Sequence, residues 1–405
     1  MNGFLASYGF VLVALVKVIV VVIVLLTVVA YLSWFERKVV AHIQSRWGPE
    51  RVGPYGLIQP LADGAKFLFK EDPTPEGVDR FVFFFAPFLA LALAMTTIAV
   101  MPLGPRIEIF GHGVWLSVTE SNISLLVVFA ITALSVYGVS LGGWASNNKY
   151  SLLGGLRSSA QMLSYELAMT MSVVGIVLMR NTFSLRDIVE GQRGAGGAGG
   201  FWHWFFIPQF FGFICFLISA VAETNRSPFD LAEGEQELVG GFHTEYASFK
   251  FAMYFMAEYA AMVSVSFMVS VLFFGGYLSP FPDTPAFHWT YYLPAAGAVI
   301  GGLALVWNGL RYHTAQGRMI VPVLGIVLLG VGVVCGLPAV MAVIQGPFWL
   351  AAKVFVVLFI YVWIRGTLPR IRYDQLMAFG WKFLLPLSLA NVLGTSLVVM
   401  LRAKP

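Results

Sequence analysis

Two carboxylates, Glu166 and Glu258, sit inside long apolar runs, and six more acids, Glu223, Asp230, Glu233, Glu235, Glu237 and Glu245, crowd the segment between two such runs. Glu258 lies about 11 residues into its run, or roughly 16 Å at the helical rise, and Glu166 about two turns into its own. An ionised carboxylate at such depth in hydrocarbon costs several kcal/mol, so it must be neutralised, paired or hydrated, and it is by default a functional group. Between 223 and 245 the only opposing formal charge is Arg226, which leaves a net of −5. Mutual repulsion raises the pKa of some of these loop acids. Together the loop and the two buried acids read as a water-containing file of proton-exchanging groups entered from one side. The plainer alternative pairs Glu166 and Glu258 with Lys17 or Lys353, the basic residues inside spans.

Other chemistries fall away on residue counts. Iron-sulfur clusters and cysteine zinc sites need about four close ligands, and the chain has two cysteines, Cys215 and Cys335, far apart in apolar runs. Its six histidines lie at the edges of apolar runs or in loops, where no pair is set to clamp a haem. Gly194, Gly196 and Gly199 spell GxGxxG, but a dinucleotide site needs a strand before that spelling and a helix N-terminus after it. Here the flanks are a polar loop and the aromatic run Phe201, Trp202, Trp204 and Phe205, so the stretch reads as a connector.

What must position the acids is a membrane scaffold. Of 405 residues 58% are hydrophobic and 11% charged, where a soluble domain carries roughly 25% charge. A spanning helix needs about 20 apolar residues, and ten runs qualify: 8–34, 80–102, 122–143, 159–180, 204–222, 247–275, 291–309, 321–345, 347–368 and 383–401. The expected fold is an all-α polytopic membrane protein, a single integral membrane domain over 1–405. The weakest spans are 291–309 and 321–345, a hairpin holding Arg311 and Arg318 at its turn.

Lys and Arg collect on the inner side of membrane proteins. With the N-terminus outside, 17 of the 25 basic residues fall in inner segments, six in outer ones and two within spans. In 57–70, Leu57, Leu61, Ala65 and Leu68 share one helical face while Asp63, Lys66 and Lys70 share another. Such a helix lies along the interface, and Pro60 suits its first turn.

The motifs also carry a family likeness. ERKVVAHIQSRWGPERVGPYG from Glu36 and LIQPLADGAKFLFKED from Leu57 are followed by WASNNKYSLLGGLRSSAQMLSYELAM from Trp144 and AETNRSPFDLAEGEQELVGGFHTEY from Ala222. AEY at Ala257 and RGTLPRIRYDQLMAFGWK from Arg365 complete the set. Across most of its length the chain resembles the family of core membrane subunits that contact the quinone in proton-pumping NADH:quinone oxidoreductase, bacterial complex I, the counterpart of mitochondrial subunit 1.

The resemblance implies a family core of eight spans, a quinone-access segment at 36–79 containing the amphipathic helix, and an acidic cytoplasmic loop at 223–246. It implies quinone as substrate, entering between the first span, the amphipathic helix and the sixth span, with Arg37, Arg46, Asp63, Arg226, Phe229, Arg365 and Arg370 around its chamber. Glu166, Glu223, Glu233, Glu235, Glu237, Glu245 and Glu258 match the family's proton path. This chain itself would hold no flavin, haem or iron-sulfur cluster. The implied partners are the peripheral quinone-site subunits, the small membrane subunits and the lipid bilayer, with no nucleic acid, in a bacterial inner membrane. The stretch 278–345 is longer than the family's usual connection and contains the weak hairpin. Two other readings compete: the related membrane subunit of energy-converting hydrogenases, which serves a complex without quinone, and a free-standing ion transporter, to which intramembrane carboxylates are equally natural.

Overall fold

The computed structural model describes residues 2–109, 112–119, 121–194, 200–230, 240–312 and 315–402. Glu233, Glu235, Glu237, Gly196 and Gly199 lie outside them. The described chain is a helical bundle of α1 (Asn2–Ile43), α2 (Gln59–Phe69), α3 (Arg80–Ala99), α4 (Ser124–Ala145), α5 (Lys149–Arg180), α6 (Leu185–Glu190) and α7 (Phe210–Glu223). It continues through α8 (Ser248–Phe273), α9 (Leu293–Leu310), α10 (Ala315–Cys335), α11 (Pro338–Thr367), α12 (Tyr373–Phe379) and α13 (Leu385–Arg402). Among the described residues nine helical stretches are long and apolar enough to cross a membrane, with α12 and α13 joined as one, and α7 is a shorter apolar helix. The arrangement is the expected all-α polytopic one, with nine described stretches of spanning length where the sequence predicts ten, the fifth run supplying only the 14-residue α7.

Three local details differ from the sequence reading. The fifth run begins helical only at Phe210, because Gly200–His203 is a short 3-10 turn and the chain bends through 204–209. The boundary after the weak hairpin falls at 336–337, where Gly336 and Leu337 leave the helix and Pro338 enters the first turn of α11, a position whose missing N–H costs nothing. The connection after α3 also contains an antiparallel hairpin, Arg106–Ile109 against His112–Trp115, with Arg106 opposite Trp115.

The core forms around α8. In its most apolar stretch 72% of residues are buried, against 44% at most in any other span. Small residues permit this enclosure: Ala252, Ala257, Ala260, Ser264, Ser266 and Ser270 are all buried, and small side chains let membrane helices approach closely. The Ser266 and Ser270 hydroxyls donate to carbonyls one turn back, and Ser264 donates to the Ala94 carbonyl of α3.

Helix length carries the functional residues out of the hydrocarbon. At 42 residues α1 runs roughly 63 Å, about twice the thickness of a bilayer core. Its C-terminal turns, with Glu36 and Arg37, therefore overhang the membrane beside α8 and α11. As expected, α2 opens with Pro60 in its first turn. It rests on α1 and α8 through Phe67 and Asp63, while Leu61 and Leu68 stay 71% and 67% exposed. That leaves the expected apolar face turned away from the bundle, as a helix lying on lipid requires.

Candidate functional site

Polar contacts sort the charged residues into the two ends of the bundle. At one end Lys17 Nζ donates to the Trp115 and Ser117 carbonyls at 2.9 and 3.0 Å. Lys353 Nζ donates to the Gly276 and Leu278 carbonyls at 2.8 and 2.6 Å, with the Trp204 ring beneath it at 4.2 Å. Both lysines bind backbone oxygens in the connections, and neither pairs with Glu166 or Glu258, which removes the plainer account of the buried acids.

At the opposite end the basic residues converge on a cavity of about 730 Å³. Its wall is built by the overhanging turns of α1 (Glu36, Arg37, Val40), the loop from Gln44 to Pro49 with Arg46 and Trp47, the α8 residues Phe255 and Tyr259, and Arg365 of α11. Phe251, Phe255 and Tyr259 recur at i, i+4, i+8 and so form one stripe of α8. Their rings are 6.4 and 4.6 Å apart, and Phe67 of α2 extends the row at 6.1 Å from Phe251. A row of aromatic rings thus runs from α2 to the cavity wall.

Behind the cavity wall runs a chain of charges and donors. Arg365 forms an ion pair with Glu36, which is only 5% exposed. The Tyr259 hydroxyl donates to the other Glu36 oxygen at 2.7 Å. The Arg226 guanidinium lies over the Tyr259 ring at 4.3 Å and reaches Glu258 at 3.4 Å. Consecutive residues on a helix point about 100° apart, so Tyr259 faces the cavity while Glu258 faces Arg226 on the next side of α8. On the cavity rim Arg37 pairs with Asp63 at 2.7 Å.

The remaining acids lie along the buried polar face of α5. Ser151, Ser158, Gln161, Tyr165 and Ser172 recur at sevens, threes and fours and are all buried. Gln161 donates to the Ala222 and Phe229 carbonyls at 2.8 and 2.9 Å, and Asn225 donates to Ser158 at 2.9 Å, which fastens the start of the acidic loop to this face. Glu223 lies near Glu166 of α5 and Tyr361 of α11. Glu223 Oε2 is buried and without a hydrogen bond among the described residues.

Of the expected chamber residues, Arg37, Arg46 and Arg365 line the cavity, Asp63 and Arg226 stand one contact behind it, and Phe229 and Arg370 are set apart. Phe229 packs on Tyr165 at 5.9 Å, and Arg370 pairs with Asp230 at 3.1 Å. Glu245 is also apart from the other acids, accepting from Asn148 at 2.6 Å. Beside it, burial pushes the Tyr246 hydroxyl up to about 12, so it remains a neutral donor to the Gly142 carbonyl. Sequence reasoning missed the roles of Glu36 and Tyr259. The available signals were the acid beside Arg37 at the end of the first run and a hydroxyl next to Glu258.

Residues 16–396 match the family model described as NADH dehydrogenase. The chain is 48% identical over 395 residues to the NADH-quinone oxidoreductase H subunit 1 of Solibacter usitatus, covering 96% of this chain and 98% of that one. It is 46% identical over 405 residues to the NADH-quinone oxidoreductase H subunit 2 of Koribacter versatilis, covering 97% and 98%. With the NADH-quinone oxidoreductase H subunit of Thermomicrobium roseum it shares 42% identity over 376 residues, 92% of each chain.

Proposed function

The chain belongs to the NADH dehydrogenase family of membrane proteins that includes the H subunit of NADH-quinone oxidoreductase, and from that premise we propose that it forms the membrane wall of the quinone chamber and couples quinone reduction to proton translocation. It is a subunit of a proton-translocating oxidoreductase. Its partners are other subunits of that complex. In this reading the peripheral quinone-site subunits sit over the basic end, small membrane subunits flank the bundle, and the chain lies in a bacterial inner membrane with its N-terminus outside.

The observation that carries the reading is the unbroken line Arg365, Glu36, Tyr259, Arg226 and Glu258, which connects the cavity wall to the carboxylate on the next side of α8. A quinone tail needs an apolar slot, and the row Phe67, Phe251, Phe255 and Tyr259 offers one. Reduction of the headgroup develops negative charge, which Arg37, Arg46 and Arg365 stabilise through delocalised, always-charged guanidinium groups. A change in charge at the cavity alters the balance between Glu36 and Arg365, and Tyr259 and Arg226 relay it to Glu258. Glu223 and Glu166 would continue the path, with Glu233, Glu235, Glu237 and Glu245 supplying protons from the inner side.

A photoreactive quinone bound to the assembled complex labels 36–49 and 255–259, read by peptide mass spectrometry with excess quinone as competitor. Complexes in which 36–70 stays unlabelled while another subunit takes all the label would overturn the chamber.

The buried lysines give a control on the proton path. Lys17→Met and Lys353→Met each leave two carbonyls without their donor, so thermal stability drops by about 1–3 kcal/mol. The ratio of protons moved to electrons transferred stays at the wild-type value in complexes that assemble. A lowered ratio in either variant would mean that a lysine belongs to the path.

A further inference from the structure

The hairpin of α9 and α10 stands outside the motifs that carry the family likeness, yet one residue at its turn reaches the segment that packs behind the cavity loop. The two helices pack along each other and meet the rest of the chain chiefly at α11 and at Pro54–Gly56. Tyr312 makes the second contact. Its hydroxyl accepts from the Tyr55 N–H at 2.9 Å, and the two rings meet edge to face at 5.0 Å. Tyr312 is itself fixed: Arg318 Nε donates to its carbonyl at 2.8 Å, and Gly317 leaves room for its ring, since a Cβ there would fall 2.1 Å from it.

The contact meets a segment that needs holding. Tyr55 has φ +54, a left-handed conformation unfavourable for a bulky side chain. Gly56 follows at φ +74, and a Cβ there would fall 2.2 Å from the Pro49 carbonyl oxygen. The turn therefore presses directly on Pro49, and Pro49 and its neighbours Gly48, Trp47 and Arg46 line the cavity. On the other side Trp34 Nε1 of α1 donates to the Tyr55 carbonyl at 3.1 Å. Tyr55 is thus clamped at its N–H by the hairpin and at its carbonyl by α1.

We infer that Tyr312 is a positioning residue for quinone binding, latching the Pro54–Gly56 turn so that the loop from Gln44 to Pro49 keeps the shape of the cavity mouth. The inference rests on the quinone-chamber reading. A loop that holds the binding shape only part of the time weakens apparent affinity by that fraction and leaves later steps alone. Loss of the latch therefore appears in KM and not in kcat.

The test uses assembled complexes in native membranes. Tyr312→Ala, which removes both hydroxyl and ring, raises KM for a long-tailed quinone about fivefold or more with kcat within about twofold. Tyr312→Phe keeps the ring and gives a smaller rise, about twofold. If Tyr312→Ala fails to assemble, Tyr312→Phe alone decides. Competitor-sensitive labelling of 36–49 by the photoreactive quinone falls several-fold in parallel at fixed, subsaturating probe. An unchanged KM and unchanged labelling in the variants, with wild type labelled normally, overturn the latch and leave the chamber intact. Absence of label at 36–49 in wild type overturns the chamber reading and the latch with it. A fall in kcat with KM unchanged also overturns the latch, because it moves Tyr312 from access to chemistry.

Discussion

Arg226→Ala, in a complex that still assembles, loses about tenfold or more of its turnover with both short- and long-tailed quinones. Arg226 is 7% exposed, with its guanidinium between the Tyr259 ring at 4.3 Å and the Glu258 carboxylate at 3.4 Å. Removing the buried partner of an ion pair leaves the other charge with less compensation, at a cost on the order of a few kcal/mol. That loss falls on Glu258 and, through Tyr259, on the hydrogen bond to Glu36. The cavity wall then loses the fixed charge pattern that stabilises a reducing headgroup, whatever the tail length. Arg226→Lys keeps the charge but not the planar fork or the stacking on Tyr259, so it recovers only part of the rate. Turnover at the wild-type level with short and long quinones in Arg226→Ala sinks the assignment of Arg226 to the chamber.

The parts of this site that were legible in the sequence are those fixed by local chemistry. Glu258 and Glu166 stand out because apolar neighbours make a carboxylate expensive wherever the helix lands. The amphipathic helix was legible because Leu61 and Leu68 must share a face at helical period, and both remain exposed away from the bundle. Pairings between distant segments were not legible. Glu36 is one of seven acids before the second run, and nothing local says that Arg365, over three hundred residues later, closes on it. Lys17 and Lys353 misled for the same reason. A cation in a span needs acceptors, but composition cannot tell a carboxylate from the backbone oxygens they bind. Tyr312 lies in a stretch whose sequence suggested no chemistry, and only the fold brings it to Tyr55.

Glu258→Gln separates electron flow from proton movement. The amide is nearly isosteric with the carboxylate and keeps an oxygen facing Arg226, but it cannot exchange a proton at physiological pH. If the line from Arg365 to Glu258 transmits the charge change at the cavity, quinone reduction keeps at least about half its rate while the protons moved per electron fall about twofold or more. NADH oxidation and acidification of proteoliposomes, measured on one preparation, give both quantities, and native electrophoresis gives the assembled amount. The substitution leaves Arg226 without its full counter-charge, so some stability is lost. A merely structural role for Glu258 would lower both rates in proportion to the assembled complex and leave their ratio fixed. Glu258→Asp retains an exchangeable proton on a shorter arm and recovers part of the ratio under the coupling role. An unchanged ratio in assembled Glu258→Gln would remove Glu258 from the path, and with it the reason for a polar line to leave the cavity wall at Tyr259.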